Sequence, residues 1–244
     1  MLSHIGSVLR QARVTFTCSK DLLYQNIEIL KALLDKTTSE DVNLSSQFQS
    51  EELWKRPNKA PVSYIDIFED DNFTVGIFVL RPGMKLPLHD HPEMFGLIKV
   101  ISGKIKVRSF SMVQNETGGS KGFFKKTFFK DSVLKSNVVV VEKCDDIILD
   151  KNSESCILEP DIKNLHEIES VDGPAAFIDI LSPPYDTEIP LVGPRKCNYY
   201  STLSQVSQNV FKLQKVGCPS WYWTDSFQYT GPDLPTEIKA QVNK

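Results

Sequence analysis

The chain has no long apolar run. No stretch approaches the roughly 18 consecutive apolar residues that a membrane-spanning helix needs, so a membrane is not an expected partner. Cysteines are few and poorly arranged: Cys18, Cys144, Cys156, Cys197 and Cys218 are odd in number and form no CxxC pair. Neither a disulfide framework nor a zinc–thiolate site is indicated. With no secretory apolar segment at the start, a reducing, cytoplasmic setting is expected. Net charge is only −3, so nothing favours nucleic acid or an anionic surface as a partner. Acidic residues are missing before Asp21, while Arg10, Arg13 and Lys20 are present. That composition suits a mitochondrial transit peptide. The helical spacing of Ile5, Val8, Leu9, Ala12 and Phe16 favours a structural amphipathic helix instead. Histidine is the scarcest chemically useful residue, with four in the chain.

What remains is ordinary for a globular protein: 41% hydrophobic and 24% charged residues in a chain of 244, enough for a sizeable core. Residues 3–16 and 20–35 read as helices, the second with a stripe of Leu23, Ile27, Leu30 and Leu34 and Ser19 as its N-cap. Residues 36–61 are polar and end in Pro57-Asn58-Lys59-Ala60-Pro61. From Val62 the pattern turns to β: Val62–Phe68, Thr74–Leu80, Phe95–Ile101, Lys104–Phe110, Asn137–Glu142, Ser155–Leu158, Leu165–Ile168 and Ala175–Leu181 are short and rich in Val, Ile and Phe. Such a series predicts an antiparallel sandwich or barrel. The expected organisation is an N-terminal helical section, 1–61, packed on a mainly β body, 62–244, as one structural domain. Gly122–Lys130 interleaves Phe with Lys; the negative net charge argues against a nucleic-acid surface, leaving a lysine-shielded edge strand. The tail from Trp221 to Phe227 reads as an edge strand covering the barrel.

The most informative segment is Pro87-Leu88-His89-Asp90-His91-Pro92. Residues i and i+2 of a strand share a face, so His89 and His91 can reach one metal ion while Asp90 points away. His166 lies in a second strand-like stretch, Asn164-Leu165-His166-Glu167-Ile168, and supplies a third ligand. Imidazoles suit iron, copper, zinc or nickel. Two prolines flanking the pair interrupt ladder pairing, which suits a strand end beside a cavity.

The spacing of Gly83, His89, His91 and Gly103 resembles the first cupin motif. Where cupins place a glutamate ligand, this chain has Gly96. That departure resembles the thiol dioxygenases, a cupin branch that includes animal cysteamine (2-aminoethanethiol) dioxygenases and plant cysteine oxidases. The residues carrying the likeness are Pro87–Pro92, Leu97–Gly103, Asn164–His166, Asp172–Asp186 and Cys197-Asn198-Tyr199-Tyr200, with Arg10-Gln11-Ala12 and Thr15-Phe16 near the start. It covers most of the chain and is weakest in 36–58, 111–150 and 203–218. The second cupin motif is poorly kept, with Ser170 where an asparagine usually follows the histidine.

The resemblance implies a cupin-type antiparallel β-barrel (a double-stranded β-helix). It also implies an Fe(II) site of His89, His91 and His166, and an enzyme that adds both atoms of O2 to a thiol. The implied substrates are cysteamine, giving hypotaurine, and the N-terminal cysteine of peptides and proteins, the latter as an oxygen-sensing step. The protein is expected to act as a monomer without nucleic acid or membrane. Asp179 matches a family acid beside the site; on Ala175–Leu181 it shares a face with Phe177 and Leu181 and needs a partner there. It orients a histidine or the substrate amine, or else makes a buried ion pair or a turn contact. Tyr185, after Pro183-Pro184, faces substrate or packs against its loop. The family is associated with a thioether at the positions of Cys197 and Tyr199. Two other readings remain at this point: a cupin oxygenase with a carbon substrate, and a non-catalytic metal-binding interaction module.

Overall fold

The computed structural model describes residues 3–45, 48, 59–113 and 137–239. The expected strand at Gly122–Lys130 lies outside them.

Two helices open the chain, α1 (His4–Thr17) and α2 (Lys20–Leu34). The Ser3 hydroxyl caps α1 by accepting from the Gly6 amide at 3.2 Å, satisfying one of the amides that a helix start leaves free. Ser19 precedes α2 but makes no such bond. Ile5, Val8, Leu9 and Ala12 of α1 and Ile27, Leu30 and Leu34 of α2 are buried, following the apolar stripes. Within 36–61 a turn of 3-10 helix spans Glu40–Val42.

The body is two facing sheets. The first orders its strands β15 (Thr224–Phe227), β1 (Val62–Glu69), β2 (Thr74–Leu80), β10 (Ala175–Ser182), β4 (Phe95–Ser102) and β8 (Cys156–Leu158). The second runs β6 (Val138–Lys143), β14 (Val210–Val216), β13 (Tyr199–Gln205), β3 (Lys85–His89), β9 (Leu165–Ser170), β5 (Lys104–Met112) and β7 (Ile147–Asp150), and β6 also pairs with β5. A small ribbon joins β11 (Glu188–Ile189) to β12 (Gly193–Pro194). All pairings are antiparallel except that β15 lies parallel to β1. Consecutive strands alternate between the sheets in this double-stranded β-helix: β2 passes to β3, β3 to β4 and β4 to β5. A short helix, α3 (Thr236–Lys239), follows.

Burial sorts the faces. Val62, Leu80, Ile98, Val100 and Phe177 of the first sheet meet Leu86, Ile105, Val107 and Ile168 of the second, forming the barrel interior. Alternate residues of the first sheet, Ile65, Val75, Ile77, Val79, Ile178 and Ile180, join α1 and α2 in another cluster. The helices therefore cover the outer face of that sheet. Lys99 is buried on this side, and its ammonium donates to the carbonyls of Lys151 (3.0 Å) and Ser153 (2.6 Å). A third cluster, Phe110, Val139, Val141, Leu165, Tyr200 and Leu213, seals the end where β6, β13 and β14 extend the second sheet. Gly103, at φ +69, makes the β4–β5 turn; a Cβ there would run into the Pro174 carbonyl.

The tail differs from its expected form. Only Thr224–Phe227 is strand; Trp221 and Trp223 are exposed, while Tyr222 packs against the barrel interior. Strands β7, β13 and β14 were not among the expected ones: β7 has only four residues, and β13 and β14 carry many polar or charged side chains. No described helix is long and apolar enough to cross a membrane.

If the helices belong to the same cooperative unit as the sheets, Leu9→Ala lowers the stability of the whole protein by about 3 kcal/mol. Urea unfolding followed by tryptophan fluorescence and by far-UV circular dichroism then shows one shifted transition. Two separate transitions would show that residues 1–61 form an independent unit.

Candidate metal centre

His89 ends β3, and its register partner on β9 is His166. Both imidazoles enter the barrel: Ile168, two residues after His166, belongs to the interior cluster. His91 joins them by another route. β3 stops at His89, so His91 is not the next inward residue of a continuous strand. It stands at the start of a turn in which the Met94 amide donates to its carbonyl at 3.1 Å. The three rings nevertheless converge, with centroids 4.8, 4.7 and 4.6 Å apart and candidate ligand atoms all within 4.8 Å of one another.

Backbone carbonyls set two of the tautomers. His89 Nδ1–H donates to the Pro87 carbonyl at 2.8 Å, and His91 Nδ1–H donates to the Asn164 carbonyl at 3.0 Å. Carbonyls only accept, so each Nε2 is left unprotonated as a donor for a metal. Burial lowers the His89 pKa to about 4 and that of His91, with His89 as a further cause, to about 3. His166 falls well below the usual range, through burial first and its two neighbours second. All three are neutral at pH 7.

Among the described residues no carboxylate or thiolate joins this cluster. Position 96 has no room for one. A Cβ on Gly96 would lie 2.9 Å from side-chain carbons of Leu158 and of Leu181. The volume into which a glutamate would project is filled by leucine. Three neutral nitrogen donors without a charged ligand fit a divalent transition metal of the iron-to-zinc series.

The next layer is built by residues whose roles the sequence did not disclose. Asn164 clamps His91 with more than its carbonyl: its Oδ1 accepts from the His91 amide at 3.2 Å, and its Nδ2 donates to the His91 carbonyl at 2.7 Å and to the Glu159 carbonyl at 3.1 Å. Asp90 points away from the cluster. Its carboxylate accepts from the Asn198 amide (2.9 Å), from Asn198 Nδ2 (3.1 Å to each oxygen) and from the Tyr200 hydroxyl (2.7 Å). Burial pushes the Asp90 pKa up, and these bonds oppose it. They fix the start of β13, so that Tyr199 pairs with His89. Arg195 is buried and donates to the Pro92 carbonyl. Hydrogen-bonding side chains near a histidine pair are a weak sequence signal, because nothing local says where they reach.

The other predicted residues are near. Tyr185 lies beside His91, ring centroids 5.8 Å apart, and its hydroxyl donates to the Asp90 carbonyl at 2.6 Å. Burial, with Cys197 and Asp90 close by, drives its pKa well above the usual range. Burial also pushes the Cys197 thiol up to about 12, although hydrogen bonds with the hydroxyls of Tyr185 and Tyr199 lower it. Cys197 and Tyr199 thus face each other. Asp179 shares the inward face with Phe177. It is 9% exposed, and its Oδ1 is buried with no hydrogen-bond partner. Burial alone raises its pKa to about 7. No ion pair holds it, so that alternative drops out among the described residues.

A double-stranded β-helix with three convergent, neutral imidazoles defines a cupin with a candidate metal site. The family can now be stated: the chain belongs to the PCO_ADO family, whose model matches residues 33–234. It is 33% identical over 263 residues to 2-aminoethanethiol dioxygenase of Mus musculus, covering 96% of this chain and 97% of that protein. Identity to 2-aminoethanethiol dioxygenase of Homo sapiens is 31% over 234 residues, covering 86% and 82%. Plant cysteine oxidase 2 of Arabidopsis thaliana is 28% identical over 179 residues, covering 72% of this chain and 57% of that protein. Each relative is named for an oxidation, and the chain is an enzyme of their family.

The pKa shifts set an acid response for the metal-free protein. The three histidines bind protons in the unfolded chain from about pH 6.5; in the folded one His89 does so only near pH 4 and His91 near pH 3, and His166 is lowered in the same direction. Asp179 acts oppositely, holding its proton in the folded state up to about pH 7. Among these four groups three outweigh one, so their combined contribution to stability falls as pH drops from 6.5 towards 4. Urea midpoints of chelator-treated protein at pH 7 and pH 5 measure this, and His91→Gln gives a shallower fall. A flat profile would contradict the buried, neutral triad.

Proposed function

We propose that this enzyme is an Fe(II)-dependent thiol dioxygenase whose substrate carries its thiol two carbons from an amine. Cysteamine, giving hypotaurine, and the N-terminal cysteine of peptides and proteins both meet that description. With protein substrates the reaction is an oxygen-sensing step. Both atoms of O2 end on the sulfur and no atom leaves it, so thiol plus O2 gives a sulfinic acid. The observation that carries the reading is the buried three-imidazole cluster with no carboxylate, in a chain whose relatives are named 2-aminoethanethiol dioxygenase and plant cysteine oxidase.

His89, His91 and His166 hold the metal in this proposal. Bound there, iron supplies redox capacity and open coordination positions. Because the three ligands are neutral, they cancel none of its charge, which favours the thiolate form of an arriving substrate. Asp179 receives the substrate ammonium: a buried carboxylate oxygen with no protein partner is matched by a cation and costs free energy without one. The Tyr185 ring walls the pocket beside His91 and limits water around the sulfur, while its hydroxyl is held by the Asp90 carbonyl. Cys197 and Tyr199 are the pair we assign to a thioether. Joining sulfur to the ring removes two hydrogens, with O2 as the oxidant, and peptide mapping of purified protein detects the linked pair.

The test is anaerobic iron loading followed by O2 with cysteamine and with a Cys-initiated peptide. Mass spectrometry should show two oxygen atoms added to either thiol, both from labelled O2. Asp179→Asn should lower kcat/KM for cysteamine by at least roughly tenfold, with a much smaller effect on a thiol that lacks an amine. No O2 uptake by iron-replete protein with either substrate would refute the proposal.

A further inference from the structure

The inner face of the first sheet carries an arrangement that the reaction on sulfur does not require. Asp66 on β1 pairs with Gly76 on β2, and Gly76 pairs with Asp179 on β10. The three residues form one row across adjacent strands. Val62, in step with Asp66 on β1, and Phe177, in step with Asp179 on β10, both belong to the barrel interior. The two carboxylates therefore rise from the same face.

Between them a glycine makes room for an aromatic ring. Gly76 has no side chain, and the Tyr64 ring lies over it: an added Cβ would run into the ring edge and the hydroxyl oxygen. Read outward from the barrel, the row is a buried carboxylate, a phenol and an exposed carboxylate. Glu69, three residues beyond Asp66 and also exposed, adds a second negative group at the rim.

These acids lack the ion pairs that several other acids of the chain make. Glu167 is paired with Lys85 and Arg108, Asp35 with Lys31, and Asp146 with Lys106 and Lys143. Among the described residues, no lysine or arginine forms an ion pair with Asp66, Glu69 or Asp179. Burial pushes the pKa of Glu69 up, as do the neighbouring acids Asp66 and Asp186, while a hydrogen bond with Thr74 opposes; burial alone pushes up that of Asp66. Like charges crowded on one face destabilise a sheet. At the inner end, Asp179 is nine-tenths buried with an unpartnered oxygen aimed into the barrel. Among the described residues neither end of the row is paired with a protein cation.

We propose that this row is a specificity subsite for peptides, in which Asp66 and Glu69 seat a cationic side chain of the second or third residue after an N-terminal cysteine. The inference rests on the thiol dioxygenase reading and adds the class of peptide the site prefers. The spacing agrees: neighbouring strands lie about 4.8 Å apart, so Asp66 and Asp179 stand roughly 10 Å from each other. An extended peptide advances about 3.4 Å per residue. With its α-ammonium at Asp179, the long side chain of a lysine or arginine one or two residues on spans the remaining distance. Cysteamine, which ends at its amine, does not reach Asp66. The rim is exposed, so its contribution is one of selection and weakens with salt.

The test uses the iron-loaded full chain and three peptides that differ only at residues two and three: Cys-Lys-Lys, Cys-Gln-Gln and Cys-Glu-Glu, each with the same neutral tail. The readout is kcat/KM for addition of two oxygen atoms, with cysteamine assayed alongside. The Lys peptide should exceed the Glu peptide by at least about tenfold at low ionic strength, mainly through KM. The ratio should shrink as salt rises. In the double variant Asp66→Lys, Glu69→Lys it should fall to one or invert; in Asp66→Asn, Glu69→Gln it should lie between. Because the ratio is taken within each variant, losses of folding or iron cancel. A ratio near one in the natural protein, or one unchanged by the variants, overturns the proposal. Oxidation of cysteamine with no peptide oxidised also overturns it, leaving the thiol dioxygenase reading intact. Failure of every substrate, cysteamine included, sinks that reading and the subsite with it.

Discussion

Three imidazoles can share the inside of a β-barrel only if each is uncharged and its non-coordinating nitrogen has somewhere to go. That constraint organises this end of the molecule. The strand pairing between β3 and β9 is irregular between Leu86 and His89. Pro87 has no amide to pair, and its carbonyl serves His89 instead. Across the site, Lys163 takes a left-handed conformation at φ +54 immediately before Asn164. The backbone and side chain of Asn164 then both engage His91. Departures from regular sheet occur where carbonyls are needed to orient histidines, an arrangement that sets ligand geometry before any metal arrives.

Charge is distributed to keep that cluster neutral. Asp90 lies between two of the histidines in sequence, yet its carboxylate is turned outward into a ring of donors from Asn198 and Tyr200. Leu158 and Leu181 fill the space in front of Gly96. The inward carboxylate next along the sheet, Asp179, sits on β10 opposite Ile98 and Gly76 and lacks a cation among the described residues. In the proposed reaction a neutral ligand set and a separate unpaired acid divide the work, the metal taking one end of a small aminothiol and the carboxylate the other. Extending that acid outward through Tyr64 to Asp66 turns a binding point into a row, which is the basis for reading the rim as a peptide subsite.

How much of this was legible in the sequence depends on how local the signal is. The stripes of α1 and α2 are repeats within single segments, and the buried residues follow them. The strands with dense Val, Ile and Phe were likewise readable, because burial on one or both faces writes itself into composition. β13 and β14 were not: Ser201, Thr202, Ser204 and Gln205 have exposed side chains, and those strands are held by pairing with β3 and β6. Tyr222 was indistinguishable from its tryptophan neighbours, although it turns inward while they stay exposed.

The sequence by itself pointed to the histidine set, because four histidines in the whole chain leave few ways to build a site, and its resemblance to the cupin motif implied the missing carboxylate at Gly96. It also determined that Asp179 would lie on an apolar face, through the two-residue period of its strand. Only the tertiary structure decided that His91 reaches the cluster from a turn, that Asn164 and Asp90 hold it there, and that Asp66, Gly76 and Asp179 fall in one row with Tyr64 laid across the gap. The reason is physical. Periodicity records which face a residue occupies, whereas register between strands distant in the chain records which residues stand side by side, and the chemistry of this site depends on the second.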